Sequence, residues 1–69
     1  MYRWKFNIIL KSGKKIIAYD ENDWNTSSKV ANEYFAGNMN DIISLGNKDG
    51  TTNILIRRSE IALMAISAD

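Results

Sequence analysis

Residues 2 to 10, Tyr-Arg-Trp-Lys-Phe-Asn-Ile-Ile-Leu, alternate in character: Tyr2, Trp4, Phe6, Ile8 and Leu10 share one parity, and Arg3, Lys5 and Asn7 share the other. A side-chain period of two belongs to an extended strand with one buried and one wet face. A strand this amphipathic needs partner strands and a cover for its aromatic side. The partner follows at once. Lys11-Ser12-Gly13-Lys14 is a tight turn in which Gly13 can take positive φ, and Lys15-Ile16-Ile17-Ala18-Tyr19 is the returning strand. A two-residue loop sets Ile8 opposite Ile17 and Phe6 opposite Tyr19, gathering aromatic and branched side chains on one face.

The cover comes next. Residues 20 to 25 are polar and turn-like, and residues 26 to 36 have helical spacing, with Val30, Ala31, Tyr34 and Phe35 on one stripe. Asn25, Thr26 or Ser27 can cap the start, and Gly37 followed by Asn38 suits the end. Residues 41 to 46 are a third strand, Asn47-Lys48-Asp49-Gly50 a hairpin turn, residues 51 to 56 a fourth strand and residues 61 to 67 a fifth. The expected order is ββαβββ: one α+β domain spanning residues 1–69, with an antiparallel sheet of about five strands and one helix packed on one face. Each sequential strand pair is expected to be antiparallel across a short connection. There is no repeat, linker or low-complexity segment.

One helix cannot cover both faces of such a sheet. The opposite face is expected to carry some of Ile9, Ile16, Ala18 and Leu55, with either Ile61 and Leu63 or Met64 and Ile66. Exposed apolar surface of this kind is covered by closure into a barrel or by a second copy. A chain of 69 residues builds only a small core. It has no cysteine for a disulfide, and with no histidine either it has no thiolate–imidazole metal site. Association is the remaining source of stability, so a homodimer is expected.

The same absences remove Ser-His and Cys-His nucleophile–base pairs and leave only carboxylate, lysine or tyrosine chemistry. The expectation is no enzyme, no cofactor and no metal. No run approaches the length of a membrane span, and the alternating N-terminus does not resemble a signal peptide. With no disulfide to form, a cytoplasmic location is expected.

Charge is unevenly spread although the net value is only +1. Arg3, Lys5, Lys11, Lys14 and Lys15 precede any acid, and Asp20, Glu21 and Asp23 then cluster in the expected loop. The acids lack the alternating ligands and central glycine of a Ca²⁺ loop and suit the approach to a helix N-terminus. Gly46-x-x-x-Gly50 lacks the Lys-Ser/Thr of a phosphate loop and reads as a turn. Trp24 stands outside every periodic pattern, either a staple on the helix or an interface anchor. Arg57, Arg58, Ser59 and Glu60 form a polar knot between two apolar strands. They are either a solvated corner, with Glu60 neutralising one arginine, or a forked grip on an anion or acidic partner.

The opening "YRWKFNIILKSGKKI", the ending "NILIRRSEIALMAI" and the Ile/Lys/Asn-rich composition resemble small uncharacterised proteins of bacteriophages and prophages of low-GC Gram-positive bacteria. That resemblance implies an accessory role: an inhibitor of host defence, a regulator or a small virion part. Sm-like barrels, which bind RNA, share the five strands, but here the helix is internal rather than N-terminal. The expected function is a non-enzymatic protein-interaction module, a phage-type accessory protein that binds and modulates a host defence protein, with Arg57, Arg58, Glu60 and Trp24 as its contacts. The alternative is a nucleic-acid binder using Arg3, Lys5, Lys11, Lys14 and Lys15 with the arginine pair.

Overall fold

The computed structural model describes residues 1–36 and 41–69. The expected helix cap at Gly37 and Asn38 lies outside the described residues. Strands β1 (Tyr2–Leu10) and β2 (Lys15–Asn22) form the first hairpin. Helix α1 (Ser27–Ala31) runs into a π-helical turn (Asn32–Ala36), followed by β3 (Ile42–Gly46) and β4 (Asn53–Arg57). A 3₁₀ turn (Arg58–Glu60) leads into β5 (Ile61–Ala68). The fold is α+β, with the ββαβββ order read from the sequence.

The sheet order is β4-β3-β2-β1-β5, antiparallel throughout. The sequential-pairing expectation therefore fails at its last step. β5 does not return along β4; it lies against the far side of β1, with Phe6 opposite Ile66 and Ile8 opposite Met64. The Arg58–Glu60 turn makes this redirection, and the Lys11 N–H bonds the Glu60 carbonyl at 2.8 Å where the chain arrives beside β1.

The first hairpin corrects the expected register. Ile8 faces Ile16, and Phe6 faces Ala18. The Leu10 N–H donates to the Lys14 carbonyl at 2.9 Å and the Gly13 N–H donates to the Leu10 carbonyl at 2.8 Å, closing a three-residue loop, Lys11-Ser12-Gly13. Gly13 sits at φ +90°, the left-handed position such a loop requires. The extra loop residue moves every residue of β2 to the other face. Ala18 becomes fully buried and Ile16 packs on the core, while Ile17 is left 53% exposed. β2 also runs on through Asp20 and Glu21, which are strand residues rather than members of a loop.

The inner face of the sheet holds the core: Trp4, Phe6, Ile8, Ala18, Ile43, Leu45 and Ile56, closed over by Val30 of the helix. The Thr26 hydroxyl accepts from the Lys29 N–H at 3.3 Å and caps α1. Hydrogen bonding from i to i+5 in the π turn rotates the chain less per residue, so the neighbours Tyr34 and Phe35 both stay on the sheet side. Tyr34 meets Phe6 edge to face, with ring centroids 5.5 Å apart.

β2 and β3 are joined at a single paired position, Tyr19 with Gly46. The sheet thus consists of a three-stranded part, β2-β1-β5, and a β3–β4 hairpin that pairs with it at that seam. On the outer face of the three-stranded part, Lys15, Ile9 and Leu63 form one cross-strand row, and Ile17, Asn7 and Ala65 the next.

Candidate interaction site

The two arginines of the polar knot have different surroundings. Arg57 closes β4 with its side chain exposed. Arg58 is half-buried, and its guanidinium donates to the Tyr34 carbonyl at 2.7 Å. The same group lies 5.9 Å from the Phe35 ring centroid. Its backbone N–H donates to the Asp41 carbonyl at 2.7 Å. Arg58 therefore ties the turn before β5 to the end of the helical segment through one guanidinium nitrogen, while its buried Nε meets no partner among the described residues. Glu60 is exposed, and among the described residues it makes no ion pair with either arginine. The expected neutralisation within the knot is replaced by a helix clamp.

Trp24 presents its ring at the surface, 39% exposed. Its backbone is fixed from both sides. The Trp4 indole N–H donates to the Trp24 carbonyl at 3.0 Å, and the Trp24 N–H donates to Asn22 Oδ1 at 2.9 Å. The buried indole of Trp4 thereby satisfies its polar atom and holds the loop that carries the exposed indole.

The basic residues also separate into groups. Arg3 is occupied: it pairs with Asp69 at 3.2 Å, lies 4.6 Å over the Tyr19 ring and donates to the Lys48 carbonyl. Lys11 and Lys14 sit exposed in the hairpin loop, with exposed Lys15 beside them. Lys5 lies half-buried on the outer face opposite Tyr19. Among the described residues, only the three hairpin lysines form an exposed basic cluster.

Two concave features stand out among the described residues. A cleft of about 410 Å³ opens at the β2–β3 seam, lined by Arg3, Tyr19, Asp20, Glu21, Lys48 and Asp49 among others. Burial pushes the Asp20 carboxyl above its usual range, a bond from the Glu21 backbone partly offsets this, and the Glu21 charge adds to it. Nothing in the sequence marked Asp20 apart from its neighbours; its position opposite the buried Trp4 does so. Among the described residues no three acids lie close enough to hold a metal ion. The second feature is a groove of about 350 Å³ along β5, between the strand and the helix, lined by Phe35, Arg58, Ile61, Met64 and Ile66 among others.

The outer sheet face of the three-stranded part is bare. Ile17 and Leu63 are each 53% exposed; half-buried Ile9 pairs with Leu63 and is diagonal to Ile17, which faces exposed Asn7. The helix covers the other face, so nothing within the described residues covers this one. Of the residues expected on it, Ile9 and Leu63 are there. Ile16 and Ala18 point inward instead, as the register dictates, and Met64 and Ile66 share the inward parity. Leu55, 67% exposed, belongs to the bare face of the β3–β4 hairpin.

No helix among the described residues is long and apolar enough to cross a membrane. No family model, curated protein or solved structure matches the chain. What the fold defines is the class: a small antiparallel α+β domain with one sheet face covered and one bare.

Proposed function

We propose that this chain is a non-enzymatic protein-interaction module, an accessory protein of the phage type that acts in the host cytoplasm by binding and modulating a host defence protein. The observation that carries the reading is the bare outer face. Ile9, Ile17 and Leu63 make an apolar group across three strands around exposed Asn7, with Lys15 beside Ile9 and Lys5 at the margin. An apolar centre with a charged rim is the anatomy of a protein-binding patch. Exposed Trp24, Arg57 and Glu60 are further candidate contacts, while Arg58 serves the fold. The phage-type assignment rests on the likeness of the two chain ends to phage and prophage proteins.

Affinity capture from a bacterial host lysate tests the reading. The expected result is a stoichiometric protein that is lost when Ile17→Lys places a charge at the centre of the patch. Recovery of nucleic acid with no stoichiometric protein overturns it. That outcome is the signature of the second reading, a nucleic-acid binder working through the exposed Lys11, Lys14 and Lys15 cluster. Binding of that kind weakens by about tenfold or more between 50 and 200 mM salt when several phosphates are contacted.

A further inference from the structure

β5 is an edge strand of eight residues, Ile-Ala-Leu-Met-Ala-Ile-Ser-Ala, without a single charge or proline. An open edge of this length and character is what natural sheets avoid unless it is paired. The opposite edge, β4, shows the contrast: it has five residues, and Arg57 and Asn53 stand at its ends. We infer that β5 pairs antiparallel with β5 of a second copy about a two-fold axis at Ala65, joining two five-stranded sheets into one. The inference deepens the reading of the chain as an interaction module by assigning one of its partners.

The backbone fixes which atoms are free. The Asp69 N–H donates to the Arg3 carbonyl at 3.1 Å, so Asp69 points its backbone groups at β1. Alternation along an antiparallel ladder gives Ser67, Ala65 and Leu63 the same direction. The N–H and C=O groups of Met64, Ile66 and Ala68 then project from the open edge. An antiparallel ladder between two copies must pair such residues with each other. With Met64 opposite the partner's Ile66, the axis falls on Ala65, the smallest side chain available to meet its own image.

The occupant follows from the chemistry of the edge. A strand with no charge meets no like charge in its own copy, and it offers no charge by which an ionic peptide would be recognised. The two inward residues, Met64 and Ile66, are half-buried beside Phe35 in the 350 Å³ groove. The pairing lays an apolar side chain from the second copy along each of those grooves, so each groove is completed only by the partner. Self-complementarity about a two-fold axis is the usual geometry of homodimers.

The chain contains no cysteine, which makes single cysteines clean probes. Residues facing each other at a non-hydrogen-bonded antiparallel position have Cα atoms about 4.5 Å apart, within disulfide reach. Sedimentation of the unmodified protein should give twice the 7.8 kDa chain mass. Under mild oxidation Ala65→Cys should couple nearly completely, while Ser67→Cys and Ile17→Cys should stay largely uncoupled. Ala65→Lys should be monomeric with an unchanged circular dichroism spectrum, and mixing it with Ala65→Glu should restore a dimer. A wild-type monomer at tens of micromolar overturns the inference. So does preferential coupling through Ile17→Cys, which would mean that the copies meet through their outer faces. Neither result depends on lysate capture with Ile17→Lys, so the edge assignment and the host-partner reading can fail separately.

Discussion

Arg58 donates to the Tyr34 carbonyl across 24 positions of sequence, from a half-buried site beside the Phe35 ring. A lysine there would keep the charge but lose the planar fork that reaches the carbonyl and stacks on the ring. Arg58→Lys should cost about 1–3 kcal/mol, the scale of a hydrogen bond to a charged group. Arg57→Lys should stay within about 0.5 kcal/mol, as ordinary surface changes do. Urea unfolding of the two single variants separates them, and equal losses would remove the clamp assignment. Asp20 makes the second residue-scale prediction. Its carboxyl is raised above 3.8 chiefly by burial, so the folded state holds its proton more tightly than the unfolded state. Stability attached to this group is therefore gained as pH falls through the raised value, and the ionised form costs stability above it. Asp20→Asn should raise the melting temperature at neutral pH, and the advantage should shrink towards about pH 4, near the ordinary carboxylate range. A constant difference across that range would contradict the burial argument. The sequence singled out the arginine pair and the acidic cluster but not which member of each the fold buries. The Tyr34 carbonyl and the strand position opposite Trp4 come to Arg58 and Asp20 only through the fold.

At the scale of elements, alternation in residues 2 to 10 defined β1 to the residue, because a period of two with aromatics on one parity has few other solutions. The hairpin register was not legible in the same way. A two-residue and a three-residue loop both fit Lys11-Ser12-Gly13-Lys14, and they put opposite faces of β2 on the core. The loop that forms is the one that uses Gly13 at φ +90°. The expected cost of Gly13→Ala is about 1–2 kcal/mol from the left-handed conformation alone, since a Cβ there meets nothing within 4 Å. Thermal unfolding measures this, and a neutral result would mean that the loop relaxes into the two-residue form. The helix was legible from the Val30, Tyr34 and Phe35 stripe and from its Thr26 cap. Thr26→Ala should cost about 0.5–2 kcal/mol by freeing the Lys29 N–H. The π turn left no local mark, because packing of two adjacent aromatics, Tyr34 and Phe35, against the core selects it. The partner of β5 was equally hidden: strand propensity shows that a strand exists, and the core decides which neighbour receives it.

For the whole molecule the consequence lies in the seam. β1 is paired along nearly its full length with both β2 and β5, whereas β2 meets β3 through Tyr19 and Gly46 alone. Five paired positions hold β3 to β4. What fastens that hairpin to the rest is mainly the burial of Ile43, Leu45 and Ile56 against Phe6, Ile8 and Val30. Ladder hydrogen bonds hold a strand in register over its length, while apolar contacts release together once water enters. The β3–β4 hairpin should therefore open as a unit at lower free energy than the three-stranded part. Amide hydrogen exchange on the intact protein tests this. The Ile43, Leu45 and Ile56 amides should exchange together and faster than those of Phe6 and Ile8, although all five side chains are almost fully buried. Ile56→Val should speed exchange across β3 and β4 while leaving β1 nearly unchanged, because the loss of one methylene, about 0.5–1.5 kcal/mol, falls on the partial opening. If β1 and β3 exchange at one common rate and respond equally to Ile56→Val, the sheet unfolds as a single piece and the seam is no weaker than the ladders beside it.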